Sequence, residues 1–195
     1  MTDGWKRLQA QLTRFSAFTE AELEMLQPAL SLVHLKKGER FAEEGKKAHQ
    51  VGLVLQGALR HFYTRDGIER TTYFYFEDHF VSSYISCITG RPSELTVEAL
   101  TDCAILNFPY STLSALFERS QAWERFGRLI AEYLAIGLEE RMVSLLMLSP
   151  EERYHHLLSS GKDKILERIP QHYIASYLGM TPVSLSRIRA RAAHK

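Results

Sequence analysis

The sequence predicts an α+β chain in three parts: an antiparallel β jelly roll with flanking helices, one long helix, and a C-terminal helix-turn-helix. Three observations predict it. Between Ser31 and Phe108, short runs of aromatic and β-branched residues alternate with glycine turns at near-regular spacing, as strands of a sandwich or barrel do. From Gln121 to about Leu148 the apolar period changes to that of a helix. Around Gly179 two short helical patterns meet. The parts divide at 1–120, 121–148 and 149–195.

Taken in order, Trp5 to Phe15 is a short amphipathic helix. Thr19-Glu20-Ala21-Glu22 is a capping box that opens a second helix through about Leu30. Glycine turns follow at Lys37-Gly38-Glu39, Glu44-Gly45, Gln56-Gly57 and Asp66-Gly67. Between and after them, Val51–Leu55, Leu59–Tyr63, Thr71–Phe76, Leu95–Leu100 and Ala104–Phe108 read as strands. Asp66-Gly67 is the clearest hairpin turn, because both residues tolerate a positive φ. Small antiparallel strands in this number close most simply as a jelly roll. In Thr72-Tyr73-Phe74-Tyr75-Phe76 the strand period puts Phe74 and Phe76 on one face and Tyr73 and Tyr75 on the other. Core packing accounts for one set; the other lines a pocket or a covered barrel face.

After Pro109, Tyr110–Arg119 is a short helix and Gln121 to about Leu148 a long one. Trp123, Phe126, Ile130, Tyr133, Leu134, Leu138, Met142, Leu145 and Leu146 give the long helix an apolar stripe too wide for one facing solvent. At 1.5 Å per residue it runs about 40 Å, longer than a small barrel needs. Part of the stripe is therefore expected to pair with a second copy, making a homodimer. Gly127 and Gly137 either mark close approach of two backbones or are tolerated defects. Ser149-Pro150-Glu151-Glu152 restarts a helix, with N-cap, proline at the first position and acids in the first turn. That junction is the expected hinge. Beyond it, Tyr173, Ile174, Tyr177 and Leu178 share one helical face, Gly179 turns the chain, and Thr181-Pro182 caps and opens the last helix. Val183, Leu185 and Ile188 give that helix an inward side. A short helix with a small polar front and several arginines suits a DNA major groove. On these residues alone the alternative is an ordinary helical pair, with arginines complementing a helix dipole.

Composition narrows the classes. Hydrophobic residues make up 45% of 195, enough for a sizeable core, yet no run approaches the apolar length of a membrane span. The N-terminal MTDGWKRLQAQLTRF has no apolar h-region, so cytoplasm is the expected location and no membrane partner is expected. Cys87 and Cys103 lack CxxC spacing and form neither a disulfide framework nor a zinc site. Net charge is +1, but residues 150–195 carry 8 Lys+Arg against 4 Asp+Glu, or +4, and the remainder 16 against 19, or −3. A basic tail on a slightly acidic body points weakly to nucleic acid. His34, His49, His61 and His79 show no metal-binding spacing, and adjacent His155 and His156 diverge on a helix, so no metal is expected. No catalytic constellation stands out, and the chain is not read as an enzyme.

The order of parts and several runs of residues resemble the catabolite-activator / fumarate-nitrate-regulator (Crp/Fnr) family of bacterial transcription factors. The early glycine turns, Val51-Gly52-Leu53-Val54-Leu55-Gln56-Gly57-Ala58-Leu59-Arg60 and Asp66-Gly67 follow that family's first strands. Ile174-Ala175-Ser176-Tyr177-Leu178-Gly179-Met180-Thr181, then Ser186-Arg187-Ile188, match its helix-turn-helix. The resemblance spans nearly the whole chain. It implies a cyclic-nucleotide-binding-like sensor, a dimer, a palindromic double-stranded DNA operator and RNA polymerase as a further partner.

Three departures qualify what the resemblance implies. Members that bind cyclic AMP hold its phosphate in a cassette opening Gly-Glu-Leu, with an Arg followed by Ser or Thr. Here the opening aligns with Asp78-His79-Phe80 and the pair with Ser93-Glu94; Arg91 is two residues out of register. Glu94 repels a phosphate, so sensing of cyclic AMP by those contacts is not expected. The N-terminal cysteine cluster of oxygen-sensing members is absent, and two cysteines cannot supply four cluster ligands, so no cofactor is expected. At the start of the reader helix, where relatives often carry Arg and Glu, this chain has Pro182 and Val183. Arg187 matches a later contacting Arg and can bond guanine in two places, and Val183 either touches a thymine methyl or is buried. The sequence ends soon after Arg191, leaving no room for a β-hairpin wing. Phosphate contacts are then expected from Ser184, Arg189, Arg191, Gln171 and His172, with Thr181 and Ser186 completing the DNA face. Tyr73, Tyr75, His79, Ser82, Ser83, Ser93 and Glu94 are the candidate lining of a pocket for an unidentified effector. Phe126, Ile130, Tyr133, Leu134, Leu138, Met142 and Leu145 are the candidate dimer contacts. The competing reading is a ligand-binding or structural jelly-roll protein that has lost sequence-specific DNA binding.

Overall fold

The computed structural model describes residues 2–192. Helix α1 (Thr2–Thr13) and a short α2 (Glu20–Glu24) precede eight strands. These are β1 (Ser31–Leu35), β2 (Arg40–Ala42), β3 (Gln50–Gln56), β4 (Leu59–Arg65), β5 (Ile68–Tyr75), β6 (Phe80–Val81), β7 (Thr96–Ala99) and β8 (Cys103–Pro109). They form two antiparallel four-stranded sheets, ordered β1-β8-β3-β6 and β2-β7-β4-β5. The expected jelly roll is a sandwich of these two sheets.

The five expected strands appear with ends moved by at most three residues. The Asp66-Gly67 turn joins β4 and β5 with both residues left-handed (φ 53° and 73°), the twist that a two-residue hairpin needs. The second helix is a correction. Thr19 and Glu22 form the expected capping box, but the α-helix stops at Glu24 and a 3₁₀ turn covers Gln27–Ala29. Pro28 has no N–H to continue the α ladder, so the chain tightens instead.

Three buried clusters define the layers. Val54, Leu59, Tyr75, Val81, Val97 and Ile105 fill the space between the sheets. Leu53, Leu106 and Phe108 on the outer side of the first sheet pack with Leu8, Leu12, Leu26, Trp123 and Phe126 from the helices. The outer side of the second sheet is covered by the C-terminal segment, described below. Helix α3 (Tyr84–Thr89) interrupts the strands, and α4 (Tyr110–Arg119) leads into α5 (Gln121–Met147). Ser120 accepts from the amides of Ala122 and Trp123, and the Trp123 indole donates to the Glu22 carbonyl at 2.9 Å, which anchors the start of α5 to α2. Among the described residues no helix is long and apolar enough to cross a membrane.

Four helices close the chain: α6 (Pro150–Ser159), α7 (Asp163–Arg168), α8 (Gln171–Tyr177) and α9 (Pro182–Ala192). Ser149 and Glu152 make the expected capping box at the head of α6. This tail shares one core with the sandwich: Tyr154, Leu157, Ile165, Ile174, Tyr177, Leu185 and Ile188 pack with Ala58, Phe74, Phe76 and Leu100. Hence Phe74 and Phe76 face the tail while Tyr75 points between the sheets. The junction at Ser149 is tied in this arrangement: Arg153 donates to the carbonyls of Leu148 (2.6 Å) and Leu178 (2.7 Å).

Candidate nucleic-acid interface

Helix α8 owes its place to its inward side. Ile174 and Ala175 are fully buried and Tyr177 nearly so, while Gln171 and His172 at its head are exposed. Gly179 (φ 67°) takes the left-handed conformation that ends the helix cheaply. The carbonyls at this end are satisfied by two guanidinium groups, Arg141 of α5 on Tyr177 and Arg153 of α6 on Leu178. A cation at a helix C-terminus also opposes the negative end of its dipole. Thr181 then caps α9: its hydroxyl accepts from the Ser184 amide at 3.1 Å and pairs with the Ser184 hydroxyl at 2.9 Å.

The last helix has two unlike sides. Leu185 and Ile188 are 1% and 5% exposed, whereas Val183 is 61% exposed. Val183 thus stands with Ser186 and Arg187 on the open face, not on the inward side that its apolar character suggested. Arg189 is also exposed, and Arg191 pairs with Glu151 at 2.9 Å. Between the heads of α8 and α9 lies an open cleft of about 420 Å³, lined by Gln171, Pro182, Leu185, Ser186, Arg189 and Ala190. Polar tips and the Arg189 guanidinium around a shallow concavity suit a polyanion with exposed base edges. Thr181 and Ser184 have their hydroxyls engaged with each other, so the pair is committed first to the helix cap.

The seven residues expected to line an effector pocket fall into two groups. Ser83 and Ser93 are buried and hydrogen-bonded to one another at 2.8 Å, and Ser93 also donates to the Leu95 carbonyl. Glu94 is exposed and Ser82 half-buried. Tyr73 packs edge-on against Tyr75 (ring centroids 4.9 Å apart) and lies 6.1 Å from His79. His61, which sequence reasoning passed over, and Tyr63 extend this row: His61 is 6.2 Å from Tyr75 and 5.7 Å from Tyr63. Burial pushes the His61 imidazole down to about 4 and raises the phenols of Tyr73 and Tyr75, so the row is electrically neutral. The signal available in the sequence was alternation: His61 and Tyr63 share a strand face. Two carboxylates beside the row are paired with helices outside it. Asp78 accepts from Arg7 at 2.7 and 2.9 Å, and Glu77 binds Arg168 (2.6 and 2.9 Å) and Lys164 (3.2 Å). The Arg168 hydrogen bonds hold the Glu77 carboxyl down to about 2.

Along α5 the candidate dimer contacts divide. Phe126 is buried and Ile130 packs beside it on the first sheet's helical layer. From there the apolar side chains are open: Tyr133 59%, Leu134 38%, Leu138 70%, Met142 55% and Leu145 42% exposed, with Ile136, Leu146 and Met147 also bare. Gly127 and Gly137 have separate explanations. A Cβ on Gly127 would stand 2.8 Å from the Phe117 ring, so α4 needs that glycine; Gly137 faces open space.

Comparison with known proteins adds the fold. Residues 32–120 match the family described as the cyclic nucleotide-binding domain. FixK2 from Bradyrhizobium japonicum superposes with TM-score 0.72 at 20% identity, over 85% of each chain. The Thermus thermophilus catabolite activator protein gives 0.58 at 20% identity, covering 94% of this chain and 87% of that one. A putative Crp/Fnr-family transcriptional regulator from Eubacterium rectale gives 0.68 at 20%, covering 91% and 85%. A search of curated proteins found no match. The chain has the fold of the Crp/Fnr regulators, with β-sandwich, long helix and C-terminal helices together.

Proposed function

We propose that this chain is a homodimeric transcription regulator of the Crp/Fnr kind, working in the cytoplasm on double-stranded DNA and not as an enzyme. The observation that carries the reading is the division of α9: Leu185 and Ile188 bury it against the tail while Val183, Ser186 and Arg187 stand open on the far side. A helix held by one side and presenting a small polar front with an arginine suits the major groove. Arg187 reads guanine, Val183 the methyl of thymine, and Arg189, Gln171 and His172 hold phosphates. The bare face of α5 pairs with its copy, placing two reader helices one DNA turn apart, about 34 Å. RNA polymerase is the further partner expected of such a regulator.

Cyclic AMP is a poor fit to the sensor. The residues where relatives hold its phosphate carry Glu94, and Ser83 and Ser93 bond each other. Any effector of the neutral row Tyr73, Tyr75 and His61 is uncharged at that point of contact.

The test is selection of bound sequences from random duplex DNA at two salt concentrations, with Arg187→Ala alongside. A palindrome with half-sites one turn apart is the expected outcome, and Arg187→Ala weakens binding to it by about 1–3 kcal/mol. Salt-sensitive binding with no enriched sequence leaves phosphate contact only. Binding to the selected site that Arg187→Ala leaves untouched overturns the assignment of α9 as the reading helix.

A further inference from the structure

One contact between sandwich and tail differs in kind from the rest. Arg60 on β4 is a guanidinium with a side chain only 2% exposed. One of its faces lies on the Phe62 ring (3.9 Å to the centroid) and another aromatic contact comes from Tyr173 of α8 (4.1 Å). Glu69 of β5 pairs with it at 2.6 Å and Glu98 of β7 stands at 3.7 Å. A buried guanidinium is costly unless carboxylates and aromatic faces replace its water. The sandwich supplies Phe62, Glu69 and Glu98, but Tyr173 comes only with α8. Docking of that helix therefore completes the burial of a charge.

The adjoining edge of the sheet fixes α8 in the other direction. β5 is an edge strand of its sheet, and its Thr71 amide and Glu69 carbonyl face outward. Ser176 accepts from Thr71 N at 3.0 Å and donates to Glu69 O at 3.2 Å, so one hydroxyl stands where a neighbouring strand would. From α8 the placement is carried to α9 by the turn that Arg141 and Arg153 hold.

We propose that Arg60 is a positioning residue for DNA recognition: through Tyr173 it sets where each protomer's α9 stands, and thus the separation of the two readers. The proposal rests on the DNA-binding reading above. Val183, Ser186 and Arg187 are exposed with the tail docked, so this contact holds the reader without covering it. Two linked modules gain about 10²–10⁴ over one when both can engage, and lose the gain when geometry forbids it. Arg60 acts on that gain and not on the contacts within a half-site.

The experiment uses the full chain with Arg60→Met, Tyr173→Leu and Tyr173→Phe. Each is titrated against the palindrome that the wild type enriches and against a duplex carrying one half-site. Arg60→Met and Tyr173→Leu are expected to keep half-site affinity and lose most of the roughly 10²–10⁴ advantage of the palindrome. Tyr173→Phe keeps the ring and keeps the advantage. Equal losses on both duplexes, or none on either, overturn the proposal. If Arg60→Met does not fold, the Tyr173 pair decides by the same criterion. Amide exchange gives a readout that needs no DNA: Arg60→Met should speed exchange at Thr71 while the β3–β8 ladder stays protected. Unchanged protection at Thr71 refutes the latch, that is, the holding of α8 on the sandwich through Arg60 and Tyr173. A wild type that enriches no sequence, yet loses Thr71 protection on substitution, refutes the DNA reading and the positioning role while the intramolecular latch stands.

Discussion

Replacing Leu138 with glutamate should convert a dimer into monomers, and the structure sets the scale. Leu138 is 70% exposed in the single chain, in the middle of an exposed run from residue 131 to 140. Fully burying a leucine side chain is worth about 1.5–3 kcal/mol, so covering this one contributes about 1–2 kcal/mol per protomer. Two copies give about 2–4 kcal/mol, or roughly 30- to 700-fold in the dissociation constant, from lost apolar area alone. A buried carboxylate without a partner adds to that. Leu134, only 38% exposed, should give about half the effect, which makes the ratio of the two a check on the face as well as on its existence. Glu132→Ala is the control, since Glu132 is engaged with Arg128 at 2.6 Å on the same helix. Sedimentation velocity across a concentration series reads the result. A Leu138→Glu chain that sediments as the wild-type dimer throughout would place the interface elsewhere and refute the reasoning.

Two other perturbations follow from particular contacts. Gly127→Ala drives a methyl to within 2.8 Å of the Phe117 ring and should lower stability by about 1–3 kcal/mol in thermal unfolding. Gly137→Ala meets nothing and should raise it by up to about 1 kcal/mol through helix propensity, unless a second α5 lies close there, in which case dimerisation weakens instead. Glu77 is a pH probe. Its folded pKa, held down to about 2 chiefly by Arg168, lies below the ordinary 4.5. The stability it contributes is complete above the ordinary value and is lost as pH falls through the folded one. Glu77→Gln should therefore flatten the acid limb of the melting-temperature profile between about pH 4.5 and 2, and a profile that keeps its slope would assign that limb to other carboxylates.

What could be read in the sequence was whatever local chemistry decides. Asp66-Gly67, Thr19 with Glu22, Ser149 with Glu152 and Thr181 each act within three residues, and each does in the structure what its spacing predicts. The length of α5 was legible for the same reason. Short elements were not: β6 has two residues and β2 three, too few for any period to register. β1, with its exposed Leu32 and His34, lacks the buried alternation that marks a strand. In the candidate site, Val183 misled because an apolar residue at helical spacing reads as core, whereas it is 61% exposed. The candidate effector residues show a different limit of sequence reasoning. Ser83 and Ser93 align with a ligand cassette, but alignment says nothing of whether two hydroxyls will bond each other.

The least legible feature is that sandwich and tail share a core, and its cause lies in β5. In the tyrosine-phenylalanine run, alternation assigns two faces without saying what covers either. Tyr75 goes between the sheets, and Phe74 meets Tyr177 of α8 with ring centroids 5.5 Å apart. A strand at a sheet edge with phenylalanines outward must be covered or it will recruit another chain. Here α8 covers it, so the element that protects the sandwich from association is also the one that carries α9. The sandwich's consecutive residues Arg60 and His61 then bear on opposite sides of one strand, Arg60 on Tyr173 of the tail and His61 on the tyrosine row. A molecule seated against that row would press on β4 one residue from the contact that places α8. The contact that places α8 and the tyrosine row are thus separated by a single strand.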